Sequence, residues 1–244
     1  MVMPCEYMER KVYRMSSDVK YRIIDYIRKN RVSTTEVADC LGKSGALTGI
    51  AALNRGHFVA GEIKYICALE DSNWNIHKNL EDLFEGYPDS DKGIVFADAI
   101  NVGERALFGD IVSKYILLYN GELGIVANGL MRDAHYLIKE NYPIWCKGVS
   151  PVGCFNREVD VSKYRSAIEE RKNIYDGAIA VCDDSGVVVI GHENITEEFY
   201  DKLEAIELQE DIWYDCIDRR KWTTFKTICL KAYKEEEDKN RAND

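Results

Sequence analysis

The sequence predicts an α/β fold built on a partly parallel sheet, and three observations carry that prediction. Short apolar runs of strand length recur at Gly93–Asp98, Gly124–Ala127 and Ile144–Cys146. Helical patterns with cap signals stand between them, as at Asp110 to Tyr119 and after Asp133. The connections are short, which suits neighbouring strands joined by helical crossovers.

Taken in order, residues 17–29 read as a helix. Ser17 or Asp18 can cap it, and Val19, Ile23, Tyr26 and Ile27 share one face. Ser33-Thr34-Thr35-Glu36 is a capping-box pattern opening a second helix, which runs through Val37 and Leu41 to a stop at Gly42. Residues 58–68 form a strand, with Lys64 on its solvent face by alternation between Ile63 and Tyr65. A Schiff-base role for Lys64 is the alternative, since a lysine buried there would be activated. Asp71 to Gly86 is polar and partly helical.

Gly93–Asp98 is a buried strand ending in an acid, and Asn101–Gly109 is a loop. The helix from Asp110 to Tyr119 closes on Asn120-Gly121. Asn128-Gly129 is expected to turn the chain out of the next strand, and Asp133 to open another helix. Residues 178–182 and 186–190 flank Asp183-Asp184-Ser185 as a hairpin with an acidic turn. From Thr196 the chain is helical and charged, and 234–244 are almost wholly polar.

Composition narrows the function. The 244 residues are 46% hydrophobic and 30% charged, enough to fill a core. A net charge of −10 argues against a general nucleic-acid binder, though not against a local basic pocket. The eight cysteines form no C-x-x-C pair, and several sit in apolar runs as small buried hydrophobes rather than a disulfide framework. Met1 to Met15 lacks the apolar core of a signal peptide, and no run reaches the ~18 apolar residues of a membrane span. The expectation is a cytoplasmic protein with no membrane partner.

The chemistry-bearing candidates converge on one place. Arg132-Asp133 follows the strand Gly124–Ala127, at the strand end where open α/β sheets bind ligands. Arginine offers a planar fork to a carboxylate or phosphate. Asp133 can hold a hard divalent cation, or simply cap the next helix. Gly109-Asp110-Ile111-Val112 places a glycine before a helix start, whose free amides favour an anion; Asp110 can equally be a cap. Of the four histidines, His57, His77 and His192 read as surface or loop residues, while His135 lies near enough to Asp133 to line the same pocket. No G-x-G-x-x-G, P-loop or G-x-S-x-G motif occurs, which argues against dinucleotide enzymes, P-loop NTPases and α/β-hydrolases.

These pieces, in their order, resemble the RraA-like family, which includes 4-hydroxy-4-methyl-2-oxoglutarate aldolases and regulators of RNase E activity. The resemblance opens at Val37–Gly42 and Gly56–Gly61 and is strongest from Gly93 to Pro151. It runs there through Val95–Asp98, Gly103–Asp110, Asn128–Asp133 and Gly148–Pro151, then resumes at Tyr175–Val189, covering about residues 35–215.

The resemblance implies a swivelling β/β/α domain that assembles as a trimer or a dimer of trimers. It divides the chain into an N-terminal helical segment (1–35), an RraA-like core (36–195) and a C-terminal helical extension with a polar tail (196–244). By the same resemblance Arg132 binds the carboxylate of a pyruvyl group and Asp133 holds Mg2+ or Mn2+. The amides of Gly109, Asp110, Ile111 and Val112 receive the same substrate end, and Asp110 positions a water that moves the proton. A glutamate from a neighbouring subunit's C-terminal helix completes the site, with Glu210 or Glu207 the nearest match.

The activity implied is a divalent-metal-dependent lyase of the class II aldolase type. It would cleave a 4-hydroxy-2-oxo acid to pyruvate, with oxaloacetate decarboxylation as a second reaction. The alternative is a non-catalytic regulator that binds a protein partner. Twenty-one residues separate Asp110 from Arg132, one more than the aldolase pattern has. That spacing resembles the regulator branch and puts an extra residue in the loop before the strand. Asn128 stands where many members carry an acid. Asp133, which the regulator branch can lose, is kept. Groups that read the substrate beyond its pyruvyl end are expected from residues 70–92 and 150–175.

Overall fold

The structure, a computed structural model, describes residues 19–85 and 92–234. Ser17, Asp18, most of the N-terminal segment and nearly all of the polar tail lie outside the described residues.

Helix α1 (Val19–Asn30) buries Ile23, Ile24 and Ile27, the stripe its spacing predicts. Helix α2 (Thr34–Cys40) begins on a true capping box: the Ser33 hydroxyl accepts from the Glu36 amide at 3.2 Å, and the Glu36 carboxylate accepts from the Ser33 amide at 2.7 Å. Beyond the β1 pair (Ala51–Ala52), strand β2 (Val59–Leu69) leads to α3 (Trp74–Phe84) and β3 (Ile94–Ile100). Helix α4 (Asp110–Lys114) passes without a break into a π-helical turn, Tyr115–Tyr119. Strand β4 (Gly124–Met131), helix α5 (Ala134–Lys139), strand β5 (Ile144–Val149) and helix α6 (Arg165–Tyr175) follow. The hairpin β6 (Ile179–Asp183) and β7 (Gly186–Ile190) pairs Asp183 with Gly186 across the acidic turn. Helix α7 (Glu197–Tyr214) starts where the Thr196 hydroxyl accepts from the Phe199 amide.

Seven strands form one sheet in the order β1-β5-β4-β3-β2-β6-β7. The four central strands, β5, β4, β3 and β2, are parallel, and β1, β6 and β7 pair antiparallel. The segment 45–52 touches both ends of this order. Leu47 donates to Val187 and Val189 donates to Gly45, each at 2.9 Å, and Ala51-Ala52 then pairs with β5. The sheet is thereby almost closed into a barrel.

One sheet face encloses Ile63, Tyr65, Phe96, Val126 and Trp145. The other packs Ile66, Val95, Ile125 and Ala127 under Ile76 and Leu80 of α3 and Ile116 of the π turn. A third cluster joins α1 and α2 to Phe199 and Leu203 of α7. Both faces of the central strands are covered, which is why their sequences read as unbroken apolar runs.

Two sequence expectations are corrected here. Asn128-Gly129 does not turn the chain: β4 runs on to Met131, with its register to β5 shifting between Ala127 and Leu130. The Asn128 side-chain amide donates to buried Asp98 at 2.7 Å, and Gly129 packs under Leu107, so tertiary partners hold the dipeptide in the strand as an irregularity. Lys64 does not face solvent either. Its ammonium lies 2.6 Å from the fully buried carboxylate of Glu122, which also accepts from the Gly93 amide. That pairing, away from the strand-end cavity described next, leaves the lysine no place in a Schiff-base site.

Candidate functional site

The carboxyl ends of the parallel strands and the loops leaving them enclose a cavity of about 190 Å³. That is room for about six waters, the scale of a small acid rather than a nucleotide. Its walls bring together Gly109, Ile111, Val112, Arg132 and Asp133, the expected group, with Asn73 and His77 from the start of α3 and Gly153, Cys154 and Asn156 from the loop after β5.

The pair is set by backbone bonds. The Arg132 amide donates to the Phe108 carbonyl at 3.0 Å, and Leu107 donates to Leu130 at 2.8 Å, so the loop before α4 is stitched to the end of β4. Asp133 then takes a left-handed conformation, φ +59°, one that aspartate tolerates better than most residues. It occupies the N-cap position of α5, yet its carboxylate makes no cap bond there. The carboxylate instead accepts from the Asp110 amide at 3.3 Å, stabilising the start of α4, and lies 3.5 Å from Nε of Arg132.

Two glycines make room for this. A Cβ on Gly109 would sit 2.1 Å from the Asp133 Oδ2, and one on Gly153 would sit 2.8 Å from the Arg132 guanidinium. Both charged side chains rest directly on glycine backbone. Arg132 and Asp133 keep about half and two-fifths of their side-chain surface exposed, so each can meet a ligand.

Asp110 is differently placed. Its amide serves Asp133, but the residue is not among those lining the cavity. Its Oδ1 is buried without a partner, and its charge joins burial in raising the Tyr142 phenol. His135, expected at the pocket, is exposed and lies against Tyr136. The histidine that does line the cavity is His77, whose pKa burial lowers, leaving a neutral ring at neutral pH. Cys154 is no thiolate nucleophile, because burial pushes its thiol up to about 11. Asn73, His77, Gly153, Cys154 and Asn156 all fall inside the two stretches expected to read the far end of a substrate. No local motif marks any one of them.

Among the described residues no three His, Cys, Asp or Glu side chains gather as a metal cluster, and Asp133 is the one carboxylate in the cavity wall. A single exposed carboxylate seated over glycine backbone suits a hard, water-rich ion such as Mg2+ or Mn2+, held by few protein oxygens plus solvent or substrate. Zinc sites gather three or four His, Cys or carboxylate ligands, and no such group is present among the described residues. Glu207 and Glu210 lie elsewhere in the same chain. Glu207 accepts from the Tyr26 hydroxyl, and burial together with Glu36 and Asp39 pushes the Glu210 carboxyl up.

The nearly closed α/β sheet thus carries an Arg-Asp pair at a small strand-end cavity. The chain belongs to the RraA-like family: the family described as RraA-like: Aldolase/RraA matches residues 34–189. Protein DlpA of Legionella pneumophila subsp. pneumophila is 25% identical over 186 residues. That match covers 76% of this chain and 30% of the relative, so the chain spans under a third of that protein's length.

Among solved structures, an uncharacterized protein from Pseudomonas syringae pv. tomato superposes with a TM-score of 0.58 at 20% identity, over 84% of this chain and 95% of that one. Streptomyces coelicolor RraAS2, described as an unusual member of the RNase ES inhibitor RraA protein family, superposes at 0.55 with 22% identity, over 78% and 96%. These likenesses show the fold. No helix among the described residues is long and apolar enough to cross a membrane.

Proposed function

We propose that the chain is a divalent-metal-dependent lyase that cleaves a 4-hydroxy-2-oxo acid to release pyruvate, with oxaloacetate decarboxylation as a second reaction. One observation carries this reading: Arg132 and Asp133 stand side by side on one small cavity, each seated on a glycine that leaves it no competing side chain. Arg132 holds the substrate carboxylate through its planar fork. Asp133 holds Mg2+ or Mn2+, fixed in aim by the Asp110 amide. When bound, the cation supplies positive charge to the oxygen on which negative charge develops as the carbon–carbon bond breaks. Leu107, Phe108 and Val112 form the apolar wall that thins water around the reacting atoms. The cavity gives Asp110 no wall, so its part in this reading is to orient Asp133.

Assembly as a trimer or hexamer belongs to the same proposal, with Glu210 or Glu207 of a neighbouring copy closing the cavity mouth. Support comes from Ile111, on the cavity wall, and Tyr119, at the end of the π turn that continues α4, both about four-fifths exposed, large apolar side chains that a lone chain leaves in water.

The test is pyruvate release from 4-hydroxy-4-methyl-2-oxoglutarate and from oxaloacetate, with and without Mg2+ or Mn2+. Release is expected only with metal. Asp133→Ala should lower kcat/KM about 100-fold or more, and Arg132→Ala about 100-fold. Absence of metal-dependent release, with wild type equal to Asp133→Ala, would sink the lyase reading in favour of a non-catalytic binding protein.

A further inference from the structure

We infer that the C-terminal extension pairs with the extension of a second copy of this chain about a two-fold axis, the basic end of each lying against the acidic outer face of α7 in the other. The extension lies beyond residue 189, where the family match stops, and the inference does not rest on the lyase reading above.

Helix α7 carries seven acids and one lysine between Glu197 and Tyr214. Phe199 and Leu203 are its buried side. Leu208 stands about two and a half turns beyond Phe199, on the opposite side. It is 65% exposed. Asp201, Glu204 and Asp211 flank it at spacings of three and four residues, which puts all four on one outer face. Glu197 and Glu198 are already paired, with Arg22 and Lys202. Asp201, Glu204 and Asp211 have no ion-pair partner among the described residues. Three like charges around an exposed leucine repel one another, and a cover that is both cationic and apolar would stabilise them.

The same extension supplies such a cover. The sixteen residues from Arg219 to Lys234 hold six basic side chains and no acid. Phe225, Ile228 and Leu230 lie among them, 63%, 45% and 60% exposed. Within one chain the basic block pairs with Asp215 at the helix end, through Arg219 at 3.5 Å and Arg220 at 2.8 Å. It then folds back along a flank of α7, where the Tyr233 hydroxyl donates to Gln209 Oε1 at 2.8 Å. Lys221, Lys231 and Lys234 keep no ion-pair partner among the described residues. An antiparallel two-fold brings both complementary faces together at once and closes the assembly. The charges set the orientation, and Leu208, Phe225, Ile228 and Leu230 supply the dry centre that exposed ion pairs alone lack. Nucleic acid and anionic lipid fit less well, since either would meet the acids of α7 beside the basic end and a chain of net charge −10. Trp222, the flat ring on which a base would stack, already carries Lys226 at 3.4 Å.

The experiment is molar mass by light scattering and sedimentation, on the full chain and on two charge-reversed variants of it. One variant is Lys221→Glu with Lys231→Glu, and the other is Asp201→Lys with Glu204→Lys. The contact doubles whatever the rest of the chain assembles, so the wild type should show twice the mass of either variant alone. Each reversal should raise the dissociation constant of the pair about tenfold or more. An equal mixture of the two variants should recover the wild-type mass, since every contact in a mixed pair is again acid against base. Thermal unfolding checks that both variants are folded. If either is not, Leu208→Ser with Phe225→Ser replaces it and should halve the mass in the same way. Halving without recovery in the mixture overturns the inference, because the contact then lies on another surface. A wild type with the variants' mass overturns it too, and phosphatidylglycerol vesicles and poly(U) RNA then test the basic end as a lipid or nucleic-acid surface.

Discussion

Asp133 serves two elements at once. Its backbone opens α5, while its carboxylate receives the amide of Asp110 and so steadies α4. The space for that arrangement comes from Gly109, and a Gly109→Ala substitution is therefore expected to push the carboxylate aside. The expected result is a large fall in any metal-dependent activity with a stability loss of about 1–3 kcal/mol, read by lyase assay and chemical denaturation. His77 makes a second prediction at this scale. Folding holds its pKa below the ordinary 6.5, so the unfolded chain binds the proton first. Its contribution is intact above 6.5 and lost as pH falls through that value toward the lower folded pKa. Unfolding free energy should thus fall less in His77→Gln than in wild type between about pH 7 and pH 5. Arg132 and Asp133 read locally as an ordinary loop and helix cap, and the resemblance to the family is what singles them out; the structure sets both on one cavity wall. Asn73 and His77 were not legible in the sequence, since they reach the cavity from α3 by packing, and no local pattern records which loop folds over a strand end.

Among the elements, helix starts were read well and strand ends were not. The Ser33 capping box is a contact between residues three apart, so sequence spacing contains it. Ser33→Ala is expected to cost about 1 kcal/mol in denaturant unfolding. The dipeptide Asn128-Gly129 carries the usual signature of a hairpin turn. Here it stays in β4, because Asn128 finds Asp98 thirty residues away and Gly129 fits beneath Leu107. Those are long-range facts. Asp98 is wholly buried and also accepts from the Tyr65 hydroxyl at 3.2 Å, with Arg171 at 3.5 Å. Asn128→Ala should cost about 1–3 kcal/mol and loosen the β4 end that carries Arg132. Thermal unfolding measures the first effect, and a rise in KM for the oxo acid the second. The one-residue excess between Asp110 and Arg132 also has places to go: the π turn at Tyr115–Tyr119 and the irregularity in β4 each take up a residue that a regular element would not.

At the scale of the molecule, the partly parallel sheet and its helical cover were readable from run length and order. The closure of the sheet was not. It depends on Gly45 to Ala52 pairing with strands some 95 to 140 residues further on, a separation that no window of sequence spans. All seven described cysteines are free, in keeping with the apolar runs that hold several of them. The apolar side chains of α4 and the π turn, Ile111, Leu118 and Tyr119, give the remaining prediction. Ile111→Glu should shift the chain toward monomer in sedimentation or light scattering while leaving its fold intact, and an unchanged mass would remove this face from the assembly.

The tie between β7, residues 45–52 and β5 also limits how another protein can take hold of this one. An extended peptide recruits itself to a sheet by bonding to an outer strand whose amides and carbonyls are vacant. Here the outer side of β7 is occupied by Gly45 to Leu47, and the opposite end is a strand of two alanines. A protein ligand of this chain would have to grip side chains, on the helices or around the cavity mouth, and would be selected by the pattern of those side chains rather than by strand-to-strand pairing.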